Sequence, residues 1–116
     1  MTLRELQELQ DQFDRRFFPR FSGAEPIGDG NLEVLLYLAT ALSGETGELA
    51  NQVKKVYRGD TKLSAAVVPI SEELADVFIY TLKLATQLGI DLEGAFLGKL
   101  TSNRRRFANL GKREGT

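Results

Sequence analysis

Two pairs of acidic residues are the part of this 116-residue chain with the clearest capacity for chemistry. Glu45 and Glu48 form the first pair, and Glu73 and Asp76 form the second. Each pair has a spacing of three residues in a segment with helical periodicity, so both side chains project from one face. If the two helices pack antiparallel, four carboxylates share a small volume, where burial and repulsion raise their pKa values. A divalent cation would neutralise them, and the pattern therefore predicts a metal-dependent hydrolase.

The residue types that the chain lacks narrow the choice of metal. There is no histidine and no cysteine, which excludes zinc–thiolate sites, Glu-x-x-His di-iron sites and a disulfide framework. Only oxygen ligands remain. Hard cations prefer oxygen, so the sequence favours Mg²⁺, with Mn²⁺ as a substitute.

Length and charge set further bounds. A chain of this size predicts one domain, residues 1–116, and a net charge of −1 gives no global footprint for nucleic acid. The basic run at 104–106 is too short to change that expectation. The N-terminus is charged and amphipathic, and no apolar run approaches the roughly 20 residues of a membrane span. We therefore expect a cytoplasmic protein that binds neither nucleic acid nor membranes.

Start and stop signals divide the chain into four helices, which predicts an all-α fold. Thr2 and Glu5 form a capping box for the first helix. Ser71 is the predicted N-cap of the third helix, after a loop over residues 60–70 that Pro69 closes. The four predicted helices cover about residues 2–18, 31–57, 71–88 and 91–110.

Polar residues interrupt the apolar face of three of these helices. Glu45 lies within the apolar stripe of the second helix, and Glu73 lies within that of the third, which Tyr80 borders. On the fourth helix Asn103 occupies the centre of the stripe and Lys99 its edge. Unpaired buried charge is costly, so a functional role explains these positions better than stability does. The alternative is solvated helix edges, or an ion pair between Lys99 and Glu45 or Glu73.

These motifs resemble those of MazG-type nucleoside triphosphate pyrophosphohydrolases, in the all-α NTP pyrophosphatase superfamily. The family signature is an E-x-x-E helix followed by an E-x-x-D helix, which here are GETGELA at 44–50 and EELADV at 72–77. The match extends to Tyr80 and to KLTSNRRRF at 99–107. The last block most resembles the small dCTP pyrophosphatase-like branch, and the whole resemblance covers roughly residues 31–107.

The resemblance implies an enzyme that converts an NTP or dNTP to the monophosphate and pyrophosphate with Mg²⁺. It implies a substrate such as dCTP and a role in cleaning the nucleotide pool. Carried over residue by residue, the catalytic metal ligands are Glu45, Glu48, Glu73 and Asp76, and the phosphate contacts are Tyr80, Lys99 and Asn103. Lys54 is a further candidate for a phosphate contact, with a solvated helix face as its alternative.

The base preference stays open at this stage. Close dCTP-specific relatives carry Trp and His around the base, and this chain has neither. Phe17, Phe18 and Phe21 are candidates for an aromatic wall, with Asn31 reading the edge of the base; the alternative is that the rings pack the core and the loop. The same scaffold also suits dUTP or damaged purine triphosphates. A hypothesis from another class is a non-catalytic helical module that binds metal or a protein.

Apolar residues beyond the predicted core predict a homo-oligomer. On the second and third helices several lie outside or at the margin of the stripe that the chain itself needs: Val34, Leu36, Tyr37, Ala41, Ala50, Phe78 and Leu82. A chain of this length has little other surface to cover them. We expect a homodimer or homotetramer that completes the helical bundle.

Overall fold

Four α-helices make up the chain in a computed structural model, which describes residues 1–115 and the side chains of residues 1–110. Two short 3-10 turns lie between the first and second helices, at Pro19–Phe21 and Asp29–Asn31. No strand occurs in the described part of the chain, which confirms the all-α prediction. None of the described helices has both the length and the apolar character required to cross a membrane. The helices are α1 (Leu3–Phe17), α2 (Leu32–Tyr57), α3 (Leu63–Gln87) and α4 (Leu92–Gly115).

The ends of the helices follow from local chemistry. The Thr2 hydroxyl accepts from the Glu5 N–H at 3.1 Å, and the Glu5 carboxylate accepts from the Thr2 N–H at 3.3 Å. This is the predicted capping box. After α2 and α3 the chain reverses at Gly59 and Gly89, with φ of 85° and 70°. Glycine adopts this left-handed conformation without the steric penalty of a Cβ atom, so both helices stop there.

The predicted loop over residues 60–70 was wrong. α3 already begins at Leu63, and Pro69 lies inside it rather than before it. Proline at this position removes one backbone hydrogen bond, the one its own N–H would donate to the carbonyl of Ala65. The preceding turn is nevertheless helical: Ala66 is buried, at 2% exposure, and its N–H donates to the carbonyl of Lys62. Ser71 is therefore an exposed residue within the helix and not its N-cap.

The core lies where α2 packs along α3 and α1 packs on α3. Two of its members were predicted to lie outside the core and were assigned to an oligomer surface: Val34 is only 1% exposed and Leu82 only 4%. α2 contacts the two 3-10 turns as well as α3, so its buried face extends beyond the predicted stripe. Among the described side chains the buried apolar residues are Val34, Leu38, Ala66, Leu82 and Ala85.

α4 contacts mainly α1 and does not pack along the α2–α3 pair. The radius of gyration is 17.9 Å, whereas a compact domain of 100 residues has about 13 Å. Large apolar side chains remain exposed, among them Leu36 at 69%, Phe96 at 60% and Phe107 at 57%. The chain alone therefore does not close a four-helix bundle.

Gln87, the last residue of α3, anchors the connection between α1 and α2. Its side-chain Nε2 donates to the carbonyls of Arg20 and Glu25, at 3.1 and 2.9 Å. The backbone carbonyl of Gln87 accepts from the N–H of Ile27 at 2.9 Å. Because the Gln87 side chain is buried, at 1% exposure, water cannot take its place as the donor to the carbonyls of Arg20 and Glu25.

We expect Gln87→Leu to lower the free energy of unfolding by about 1–3 kcal/mol, because it leaves two loop carbonyls without a donor. Chemical denaturation measures this. The matched control is Gln12→Leu, since Gln12 is an exposed glutamine on α1. Equal losses in the two variants would show that Gln87 does not hold the loop.

Candidate metal centre

Three carboxylates from two helices converge at the α2–α3 contact. Glu45 comes from α2, while Glu73 and Asp76 come from α3, one helical turn apart. Each offers an oxygen, and these three oxygens lie within 4.8 Å of one another. Oxygen atoms at such distances can bind one cation together after small rotamer changes. The structure thus brings together three of the four carboxylates that the acidic motifs predict to share one site.

Two oxygens of this cluster are buried without a partner. Glu45 Oε2 and Glu73 Oε2 have no hydrogen-bond donor among the described residues. A buried acceptor that carries charge and lacks a donor is costly, and native structures rarely retain one without a reason. A hard divalent cation satisfies such oxygens, and the donor set of carboxylates alone suits Mg²⁺ or Mn²⁺.

The pKa shifts in the cluster also indicate that the charged carboxylates are unfavourable there. Burial raises the pKa of Glu45, and the charges of Asp76 and Glu48 raise it further. Burial also raises the pKa of Glu73, with added repulsion from Glu48, Asp76 and Glu45. Glu48 is exposed and lies beside Glu73 at the rim of the cluster. Its role as a metal ligand stays a prediction.

Tyr80 lies one turn beyond Asp76 on α3 and is half-buried. Burial raises the pKa of its hydroxyl, and nearby Tyr37, Glu45 and Asp76 add to the shift. The hydroxyl is therefore protonated at neutral pH and remains a hydrogen-bond donor next to the carboxylates. This placement is compatible with the predicted phosphate contact.

Lys54 borders a groove on the other side of Glu48. The groove has a volume of about 320 Å³. It is open because Gly44 and Gly47 present no side chain, and a Cβ added at either would meet nothing within 4 Å. Lys54 is exposed there, so its ammonium can reach an anion in the groove. The residues that line it are Gly44, Gly47, Glu48, Ala50, Asn51 and Lys54.

The structure does not bring Lys99 and Asn103 to the carboxylates. Both lie on α4, whose main contact within the chain is with α1 and not with the α2–α3 pair. Among the described residues Lys99 is exposed and forms no ion pair, so the alternative pairing with Glu45 or Glu73 does not occur within one chain. Asn103 is half-buried on the same helix.

The predicted base-binding residues lie around the end of α1. Phe17 and Phe18 are about half exposed, at 53% and 48%. Phe21 stacks on Tyr37 with the ring centroids 4.7 Å apart. Asn31 uses its amide within the loop, because it accepts from the Gly28 N–H at 2.6 Å and donates to the Pro26 carbonyl at 3.1 Å. The exposed rings remain candidates for the base, whereas the polar atoms of Asn31 are already bonded.

Sequence reasoning missed a polar stripe along α3. Lys83 and Gln87 continue the face that carries the carboxylates and Tyr80, and Lys83 forms a buried ion pair with Asp14 of α1. The signal was present in the spacing, since polar residues recur at alternating steps of three and four. The stripe is formed by Glu73, Asp76, Tyr80, Lys83 and Gln87.

Comparison with known proteins identifies the class. The profile of the MazG nucleotide pyrophosphohydrolase domain matches residues 34–109, which include the four acidic residues and Tyr80, Lys99 and Asn103. This match spans more than half of the chain. The chain therefore belongs to the MazG nucleotide pyrophosphohydrolase family.

Individual proteins are also similar to this chain in sequence. Mouse dCTP pyrophosphatase 1 is 37% identical over 76 residues, which is 60% of this chain and 44% of the relative. Human dCTP pyrophosphatase 1 is 38% identical over 74 residues, with the same shares. The Gene 37 protein of a mycobacteriophage is 36% identical over 81 residues, 66% of this chain and 71% of that protein. The chain thus spans less than half the length of these dCTP pyrophosphatases, and no solved structure matches it.

We expect the metal-free protein to lose free energy of unfolding as the pH rises above about 4.3, the ordinary glutamate pKa. The pKa values of Glu45 and Glu73 are raised in the folded state, so the folded state binds more protons than the unfolded state in this range. The loss begins at the ordinary pKa and ends once both folded carboxyl groups are ionised. Denaturation at a series of pH values, with metal removed by a chelator, measures it.

The control for this pH dependence is the Glu45→Gln/Glu73→Gln variant, which lacks both groups and should lose this part of the slope. Added Mg²⁺ or Mn²⁺ should stabilise the wild type above pH 6 and have little effect on the variant. Identical slopes for the two proteins would show that the cluster is not under electrostatic strain.

Proposed function

We propose that this chain is a divalent-metal-dependent nucleoside triphosphate pyrophosphohydrolase. It converts a deoxynucleoside triphosphate, a pyrimidine such as dCTP, to the monophosphate and pyrophosphate. The observation that carries the proposal is the convergence of Glu45, Glu73 and Asp76, with two oxygens buried and unpaired. Family membership and the likeness to dCTP pyrophosphatase 1 support the reaction class and the pyrimidine. A role in cleaning the cytoplasmic nucleotide pool follows as a prediction.

The carboxylates have two tasks in this proposal. Glu45, Glu73 and Asp76 hold the metal, with Glu48 joining from the exposed rim of the site. A bound Mg²⁺ or Mn²⁺ would neutralise phosphate oxygens and lower the pKa of a coordinated water. The chain has no histidine or cysteine, so among its side chains a carboxylate is the base best suited to accept the proton of the attacking water.

Other side chains bind and orient the triphosphate. The Tyr80 hydroxyl donates to a phosphate oxygen beside Asp76, and Lys54 holds an anion in the groove next to Glu48. Lys99 and Asn103 would stabilise the charge that develops on the leaving pyrophosphate. Because α4 lies away from the α2–α3 pair of its own chain, we place these two residues at the site of a second copy.

A homo-oligomer, a dimer or tetramer, would bring α4 of one chain to the carboxylates of another. The radius of gyration of 17.9 Å and the exposed Leu36, Phe96 and Phe107 leave a large apolar surface uncovered. Surfaces of this kind usually mark association. The charges are complementary as well, since exposed Lys99 and the run Arg104–Arg106 on α4 suit the acidic cluster of another copy.

The activity test is hydrolysis of a dNTP panel with and without Mg²⁺, with separation of the products. Wild type should release pyrophosphate and monophosphate. Asp76→Asn should lower kcat by about 10²-fold or more, since it weakens a preorganised charge at the reacting phosphate. Its matched control is Glu72→Gln, which changes an exposed carboxylate on the same helix. A diphosphate as first product, or equal rates for the two variants, would refute the proposed reaction.

Metal binding without turnover of any nucleotide would instead favour the non-catalytic module, and a preference for dUTP or a damaged purine would revise the substrate alone. Titration of Mn²⁺ into the wild type and Asp76→Asn reads the metal site independently of catalysis.

Mixing two inactive variants tests the shared site. Asp76→Asn loses a carboxylate and Lys99→Ala loses the cation of α4, so in a mixed oligomer one site regains both from unmutated chains. We expect partial recovery of activity on mixing. The control is a mixture of Asp76→Asn with Glu45→Gln, which should stay inactive because both residues come from the same chain's cluster. No recovery in the first mixture, together with a monomer by light scattering, would exclude a shared site.

A further inference from the structure

A buried ion pair joins α1 to α3 outside the carboxylate cluster. Lys83 Nζ lies 3.3 Å from Asp14 Oδ1, with 10% of the Lys83 side chain and 2% of the Asp14 side chain exposed. Gln10 Nε2 donates to the same Asp14 oxygen at 3.1 Å. The desolvation of two charges commonly cancels their attraction, and apolar residues of similar volume often stabilise a fold as well or better. Stability alone therefore gives little reason for this pair.

The ammonium of Lys83 also holds two aromatic rings. Its Nζ lies 5.1 Å from the centroid of the Phe18 ring and 5.1 Å from that of the Tyr80 ring. A cation within about 6 Å of a ring centroid is attracted to it, and more strongly when the pair is shielded from water. The backbone adds a second link, because the Phe18 N–H donates to the Asp14 carbonyl at 2.6 Å.

The position of this cluster along α3 relates it to the carboxylates. Tyr80 lies between Asp76 and Lys83, and the seven residues from Asp76 to Lys83 span about 10 Å at 1.5 Å per residue. The face thus runs from the metal ligands through Tyr80 to the ring of Phe18. This order matches a nucleotide with its phosphates at the metal and its base at the aromatic end.

We propose that Lys83, held by Asp14, is a positioning residue for the nucleobase, because it fixes the Phe18 ring relative to Tyr80 and so sets which bases the site accepts. The inference rests on the proposed function, since it takes a nucleoside triphosphate as the substrate. Lys83 acts through the two rings and need not touch the reacting phosphate.

The experiment separates this role from a structural one. In Lys83→Met the stem of the side chain is kept and the charge is lost, whereas Asp14→Leu combined with Lys83→Met replaces the whole ion pair by apolar groups. Lys83→Arg keeps a cation that can lie over aromatic rings. Arg4→Met is the matched control, because it removes the ion pair of α1 with Asp91 at the other end of that helix. The probes are the non-hydrolysable α,β-imido analogues of dCTP and dATP, bound in the presence of Mn²⁺.

We expect Lys83→Met to weaken binding of the preferred analogue by about tenfold, the loss of two shielded cation–ring contacts. The ratio of the two dissociation constants should move toward one. The double variant should regain the free energy of unfolding of the wild type. It should not regain the wild-type affinity or the wild-type ratio of the two dissociation constants. Lys83→Arg should lie closer to the wild type, and Arg4→Met should bind both analogues as the wild type does. In turnover the change should fall on KM rather than kcat.

A double variant that binds both analogues as tightly and as selectively as the wild type would overturn the inference and leave the proposed function intact. A wild type that binds the analogues without hydrolysing dNTPs would refute the function, while the base ratio still tests Lys83. A wild type that binds neither analogue refutes both. If Lys83→Met does not fold, the double variant and Lys83→Arg decide the outcome by the same ratio.

Discussion

The repulsion between carboxylates at the α2–α3 contact is the constraint on which the rest of the structure depends. Glu45, Glu73 and Asp76 meet within 4.8 Å, and burial raises the pKa of the two glutamates. The helices stay together because Val34 and Leu38 of α2 and Leu82 and Ala85 of α3 are buried. The site is thus held in a form that is unfavourable by itself and that a cation would stabilise. Preorganisation of this kind is what a metal centre needs, since ligands that were free to separate would bind more weakly.

The polar residues on the inner face of α3 reduce the apolar core of the chain. The face of α3 that carries Glu73, Tyr80 and Lys83 would otherwise bury apolar residues against α1 and α2, and the described core contains few large side chains. Stability must then come from elsewhere. We expect a second copy that covers Leu36 and Phe96 to provide it, which would link the proposed assembly to the polar interior of the chain.

The parts of the fold that depend on local rules were predictable, and those that depend on partners were not. Spacing alone placed Glu73 and Asp76 on one face, because helical geometry acts within a few residues. Pro69 misled the prediction of α3, because the turn that precedes it is helical and the helix already begins at Leu63. Asp14 and Lys83 are far apart in the chain, and a charged residue on a helix is ordinarily solvated. Their pairing was visible only once α1 lay on α3.

The residues proposed for catalysis and those proposed for base selection lie largely in different segments of the chain. The region shared with the MazG family, residues 34–109, contains the carboxylates, Tyr80 and Lys83. Asp14 and Phe18 precede it, in α1 and the loop that Gln87 anchors. Likeness to dCTP pyrophosphatase 1 supports the reaction more directly than the base, because the proposed base contact Phe18 lies outside residues 34–109. Lys83 on α3 lies over the Phe18 ring at the end of α1, so under the proposed role of Lys83 a change in the N-terminal segment would alter the base preference while the metal centre stays the same.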